Sequence, residues 1–206
     1  DLSVWLASGA CFSALELVPL CLLSWESYTH YRVYRDTQKV FPYKGTFIFL
    51  MWTGIWNAVG AGALGFLINA PAINYFEHGT QWTSAHAHAS MAGVYGMFSI
   101  AIMLYTLRNV TKKSLWTPKM EKAVSWAAWL TNIGLAGMVF ITLLPVGQIQ
   151  LMDALKNGYW HARLLSFYHQ PDVAALLWAR MAPDLIFTAG VVVLLVIVVK
   201  AFFNLK

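Results

Sequence analysis

The stretch "HGTQWTSAHAHASMAGVYGM", residues His78 to Met97, leads three histidines into an otherwise apolar segment, and two of them, His86 and His88, are separated by a single alanine. On a helix of 3.6 residues per turn, residues i and i+2 point about 200° apart. His86 and His88 therefore look out of opposite faces and cannot grip one ion together. Each can hold a separate planar cofactor, with the helix as the partition between them. Ala85, Ala87 and Ala89 keep that partition thin, and Gly93 and Gly96 keep the next turn slim. Haem iron is the natural candidate, since histidine is its usual axial ligand. The plainer alternative has one imidazole hydrogen-bonded inside a bundle and the other meeting water near an interface. Ionisable residues inside a membrane are functional by default, but ligation does not follow from that alone.

The flanking sequence makes this a membrane segment. The 206 residues are 59% hydrophobic and only 11% charged, with a mean hydropathy of +0.57. Soluble domains carry about 25% charged residues, so the chain is an all-α integral membrane protein. Five long apolar stretches predict spans at about 2–25, 46–71, 80–107, 124–148 and 173–203. Roughly 20 residues suffice to cross the hydrocarbon core. Together they form one transmembrane domain segment without internal repeats. The abundant Trp, Tyr and Phe suit interfacial belts and the walls of a large flat ligand. The connection between the fourth and fifth stretches is long and aromatic and predicts a short surface helix. Cys11 and Cys21 stand nearly three turns apart along one helix, too far to bridge. The sequence opens on Asp1 without a basic leader or cleavage pattern, and reads as part of a longer chain.

Charge orients the set. The first connection carries Arg32, Arg35, Lys39 and Lys44; the third carries Arg108, Lys112, Lys113, Lys119 and Lys122; the tail adds Lys200 and Lys206. The second connection has no Lys or Arg. The positive-inside rule then puts the first and third connections and the C-terminus in the cytoplasm, and the N-terminus outside. The +5 balance is explained by this bias and calls for no nucleic acid.

Other polar residues stand out. Glu16, in "CFSALELVPL", lies roughly 20 Å into the first span at 1.5 Å per residue. A lone carboxylate there must be protonated, hydrogen-bonded, or beside a metal or water cavity. Proton delivery or metal support is the functional reading; a neutral side chain bonded to a neighbouring helix is the bland one. Pro19 loosens the helix nearby. Arg180 and Asp184 are spaced i, i+4, which suits an interfacial ion pair; alternatively, Arg180 faces haem propionates. Glu77 and His78 raise the same choice, between solvated loop residues and partners for propionates and a cation such as calcium. His30, His161 and His169 read as surface or interface residues. "GYWHARLLSFYHQP", residues Gly158 to Pro171, lines a ligand entrance or simply lies at the interface. No phosphate-binding glycine loop, Cys-x-x-Cys pair or Ser-His-Asp set is present, which points towards redox chemistry or transport.

The histidine stretch resembles the haem-ligand helix of the haem–copper oxidase superfamily, specifically that of the bacterial nitric oxide reductases. The resemblance implies that His86 is the ligand of a high-spin haem b and His88 one axial ligand of a low-spin haem b. "FSALELVPL" is similar to the family's helix with a glutamate beside the non-haem iron, which implies that role for Glu16. His78 lies eight residues before His86, where the superfamily has a histidine near haem propionates. "GYWHARLLSF" followed by "RMAPD" looks more like the quinol-dependent branch than the cytochrome c-dependent one, although the family's "PGD" reads "APD" here. The resemblance covers the C-terminal five of twelve core helices. It implies that the remaining ligands, three His and a Glu on the non-haem iron among them, come from upstream helices, with a His-His pair within about ten residues before Asp1. The implied reaction joins two NO, two electrons and two protons into N2O and water, in a bacterial inner membrane, with quinol or a cytochrome c as donor. An oxygen-reducing oxidase, or a non-catalytic subunit or transporter, are the competing expectations.

Overall fold

The computed structural model describes residues 2–37 and 43–205. Asp1, Lys39, Lys206 and the side chain of His30 fall outside the described residues. The chain is all-α, with five helical runs long and apolar enough to cross a membrane.

The first run is α1 (Leu2–Leu15) and α2 (Leu17–Thr37). They part at Glu16, whose N–H turns back to the Ser13 carbonyl at 3.1 Å. Pro19, without an N–H, cannot complete the regular bond to Leu15. The helix then continues to Thr37, well past the expected end near Trp25. Nothing in "SYTHYRVYRDT" stops it: the segment is polar but holds neither Gly nor Pro.

The second run joins α3 (Lys44–Trp56), a π-helical segment Asn57–Leu64 and α4 (Gly65–Asn69). Pro71 then opens α5 (Pro71–Glu77), forcing Ala70 out of the helical region. The third run is α6 (Gln81–Ala87), a second π segment His88–Gly96 and α7 (Met97–Val110). Thr80 caps it, its hydroxyl accepting from the Trp82 N–H at 3.3 Å.

After a 3-10 turn at Lys113–Leu115, the fourth run comprises α8 (Pro118–Ala136), a π segment Gly137–Leu143 and α9 (Leu144–Asn157). It is 40 residues long, extending beyond the expected 124–148 at both ends. Thr117 caps its start, and Gly158, at φ +96°, ends it. The long connection holds a 3-10 turn (His161–Arg163) and α10 (Leu165–Tyr168), so the expected short helix is present. α11 (Pro171–Ala179) and α12 (Met181–Phe202) make the fifth run.

Packing depends on small residues. A Cβ on Gly134 would lie 2.5 Å from the Phe187 backbone nitrogen, and one on Gly190 would lie 2.8 Å from that of Thr131. α8 and α12 therefore run backbone against backbone, the way apolar helices associate in lipid. Asn132 is fully buried. Its Oδ1 accepts from the Trp56 indole N–H at 2.8 Å, and its amide donates to the Ala128 carbonyl at 2.7 Å. This polar pin joins the second and fourth runs inside an apolar bundle.

At the basic end Arg108, counted above among the loop charges, is buried instead. Its guanidinium meets both Glu121 oxygens at 2.5 and 2.7 Å, between the rings of Tyr43 (4.5 Å) and Trp116 (4.2 Å). At the opposite end a second small core gathers Val146, Ala154, Ala162, Phe167 and Val173. Buried Gln150 pins it, accepting from the Gln81 N–H at 2.7 Å and donating to the Ala162 carbonyl and the Tyr168 hydroxyl.

A Cβ at Gly93 would stand 2.5 Å from Trp56 Cγ, whereas nothing lies within 4 Å of one at Gly54. Overpacking costs about 1–3 kcal/mol. Gly93→Val should lower the detergent-phase melting temperature of the full-length protein by several degrees, and Gly54→Ala should leave it unchanged.

Candidate functional site

The pair His86 and His88 straddles the junction between α6 and the π segment that follows. His86 Nδ1 lies 2.9 Å from the Gly60 carbonyl of the second run. Gly60 belongs to the π segment Asn57–Leu64. There the i to i+5 pattern takes carbonyls off the regular ladder and leaves them open to other donors. The approach also requires glycine: a Cβ at Gly60 would sit 2.7 Å from the Ala89 Cβ. His88 Nδ1 lies 2.8 Å from the carbonyl of Ser84, one turn back on its own helix.

A carbonyl only accepts, so in both rings Nδ1 carries the hydrogen and Nε2 keeps its lone pair. Metal-binding histidines are held this way, with the non-ligating N–H anchored to a backbone carbonyl. The two rings then diverge. His86 lies over Gly65, where a Cβ would be 3.0 Å from the imidazole Cε1. His88 turns to the fifth run, where Arg180 Nη2 donates to its Nε2 at 3.1 Å. Ala85 and Ala89, on either side of the pair, are fully buried.

His88 opens on a cavity of about 400 Å³, lined with Ala92, Leu135, Met138, Arg180 and Phe187. Largely apolar walls, an imidazole whose Nε2 meets the Arg180 guanidinium, and that guanidinium itself suit a planar iron cofactor with acidic side chains, with Asp184 and Thr188 the other polar groups of the lining. The residues present fit such a group. Arg180 also holds Asp184 at 3.3 Å, so the i, i+4 ion pair forms and the same side chain reaches the histidine.

Glu16 stands exposed at the break between α1 and α2, and among the described residues no side chain bonds its carboxylate. Leu20, one turn further on, packs against Gly62, whose Cβ would be 3.2 Å from Leu20 Cδ1. That contact brings Glu16 to about the level of Gly65 and hence of His86. His78 ends α5 with its ring exposed. It contributes its carbonyl instead, which accepts from Arg163 Nη2 at 2.6 Å and from the Tyr159 hydroxyl at 3.3 Å.

Glu77 is fully buried, which its place in a connection did not suggest. Its Oε2 accepts from the Thr83 hydroxyl at 3.1 Å, while Oε1 has no partner. Burial pushes its carboxyl up to about 7, against the opposing effects of the Thr83 bond and the Arg163 charge. Arg163, whose charge opposes that shift, is bonded to the carbonyls of Phe76 and His78. Among the described residues no three His, Cys, Asp or Glu side chains converge on one point. His161 is tied to Asp153 at 2.7 Å, and His169 is exposed. Gly60, Gly65 and Ser84 escaped the sequence reading because they act through backbone or through absent bulk; the run "GAGALG" was the visible trace of the two glycines.

Known proteins are similar to this chain along most of its length. The family described as cytochrome c and quinol oxidase polypeptide I matches residues 2–201. A nitric oxide reductase subunit of Stutzerimonas stutzeri is 29% identical over 195 residues, an alignment that takes in 92% of this chain and 39% of that protein. The chain thus spans about two-fifths of the length of the curated relative it matches.

Gly65→Ala places a methyl 3.0 Å from His86 Cε1, so the ring must retreat. Solid-state 15N spectra of the full-length protein should show a weakened His86 Nδ1–H bond and an unchanged His88. An unshifted His86 signal would remove Gly65 from the site.

Proposed function

Because this chain belongs to the cytochrome c and quinol oxidase polypeptide I family, we propose that it is the histidine-bearing part of a nitric oxide reductase catalytic subunit. His86 is then the ligand of a high-spin haem b, and His88 that of a low-spin haem b. The observation that carries this reading is the divergence of two imidazoles with both Nδ1–H groups anchored to carbonyls. The similarity to the Stutzerimonas stutzeri nitric oxide reductase chain supports it.

Bound at these nitrogens, haem supplies one-electron redox chemistry and, on the high-spin side, a position open to NO. The rest is the work of this chain. The carbonyls of Gly60 and Ser84 fix the tautomers, so that Nε2 is the ligating nitrogen in each ring. Ala87 leaves a single residue between the two ligands, a short path for electrons from the His88 side to the His86 side. Arg180 sits beside His88 with donors to spare for a propionate, which supports the propionate role inferred for it; His78 would share that role through its exposed ring. Glu16, at about the level of His86, supports the non-haem iron or relays protons to it. The iron's remaining ligands belong to upstream helices of the same polypeptide.

Two NO, two electrons and two protons give N2O and water. Quinol is the favoured donor, on the strength of "GYWHARLLSF" and "RMAPD". The Lys and Arg bias of the connections supports a bacterial inner membrane with the basic end facing the cytoplasm.

His88→Ala should remove the low-spin haem b signal from the visible spectrum of the purified full-length protein and spare the high-spin one. His86→Ala should do the reverse. Loss of both signals from each variant would defeat the assignment of one haem to each histidine. NO consumption with N2O formation, against O2 consumption, separates a reductase from an oxidase of the same family.

A further inference from the structure

Glu77 and Arg163 meet in an arrangement that the histidine site does not use. Arg163, on the 3-10 turn His161–Arg163, donates to the carbonyls on both sides of Glu77, Phe76 at 3.2 Å and His78 at 2.6 Å, and to that of Tyr159. Its guanidinium also lies 3.6 Å above the Tyr159 ring, and the Tyr159 hydroxyl reaches the His78 carbonyl. The Gly158–Pro171 connection is thereby clasped onto the turn that starts the histidine helix. The Glu77 carboxyl sits inside the clasp with no exposure, one oxygen on Thr83 and the other without a partner.

We propose that Glu77 is a proton-binding switch: protonated, it lets the clasp close over its neutral carboxyl, and on losing the proton it opens the Gly158–Pro171 connection away from the head of the third run. The physical reason is that an ionised carboxylate has two strong acceptors to satisfy, while the nearest cation points three of its five N–H donors at backbone carbonyls and none at the carboxylate. Burying that charge half-satisfied is unfavourable. It is relieved by pulling Arg163 off the carbonyls or by admitting water, and either one releases the clasp.

The groups facing Glu77 leave it as the titrating centre. The 3-10 turn contributes Arg163, and His161 there is bound to Asp153 of α9. α9 also carries Lys156, α6 presents Thr83 and, further along, His86, and the neighbouring α1 and α4 carry no charge among their described residues. His78 and Tyr75 flank Glu77 on its own element, both exposed.

The sign follows from linkage. A carboxyl whose folded value is raised from 4.5 to about 7 binds more protons in the closed state than in the open one. Closure is therefore complete at low pH and is lost as pH rises through that window.

The test is amide hydrogen exchange of residues 158–169 in the full-length protein in lipid nanodiscs, against Glu77→Gln at each pH as the reference for intrinsic exchange. The ratio of wild-type to variant exchange should be near one below about pH 4.5, rise by up to about tenfold per pH unit towards neutrality, the limit for one linked proton, and level off above about pH 7. A C=O stretching band of a protonated carboxylic acid should titrate over the same range and be missing from the variant. Thr83→Val, which removes the bond favouring the charged form, should move the transition to higher pH, and it serves if Glu77→Gln does not fold. A flat ratio from about pH 5 to 8.5, or a wild-type transition unmoved by Thr83→Val, overturns the proposal.

Discussion

The hydrogen bond from His86 to the Gly60 carbonyl is the contact on which the site depends. Inside a bilayer no water competes for polar groups, so each donor must find its acceptor within the protein. An α-helix offers few, because its carbonyls are already taken. The π segment at Asn57–Leu64 loosens that accounting, and the glycine at position 60 lets the third run come close enough to use it. His88 solves the same problem locally, with the Ser84 carbonyl of its own helix. One ring is thus fixed by the fold and the other by its own turn. Both present the same nitrogen, yet to different neighbours.

Charge is managed differently at the two ends of the bundle. At the basic end Arg108 sets both terminal nitrogens on Glu121 and has a ring on each face, while its buried Nε has no partner. At the histidine end Arg163 stands beside a buried carboxyl without bonding it, serving backbone carbonyls instead. Arg180 divides its donors between Asp184 and His88.

The fold class and the number of spans were legible in the sequence because hydropathy reports burial in lipid directly. So was the divergence of His86 and His88, which needs only the helical repeat. Helix ends were less legible. α2 runs on through "SYTHYRVYRDT" and the fourth run reaches Asn157, because a helix continues wherever no Gly, Pro or cap stops it, whether or not lipid surrounds it. The π segments left no readable signal, since their wider turns arise from packing between runs. The burial of Glu77 was not legible for a specific reason: a carboxylate in a polar connection normally faces water, and only the fold of α5 against the turn at Arg163 buries it. His78 drew notice for its ring, while the contact the structure shows is made by its carbonyl.

The fourth run is 40 residues long, about 60 Å at 1.5 Å per residue, twice the thickness of the hydrocarbon core. Its projecting end, α9, is the mast on which the small core around Gln150 and the Gly158–Pro171 connection are rigged. A bilayer that thickens or thins makes a long helix lean, and a lean about the midplane swings its far tip most. Lipid composition therefore has a mechanical purchase on the superstructure at the histidine end, transmitted as leverage along a single continuous spar.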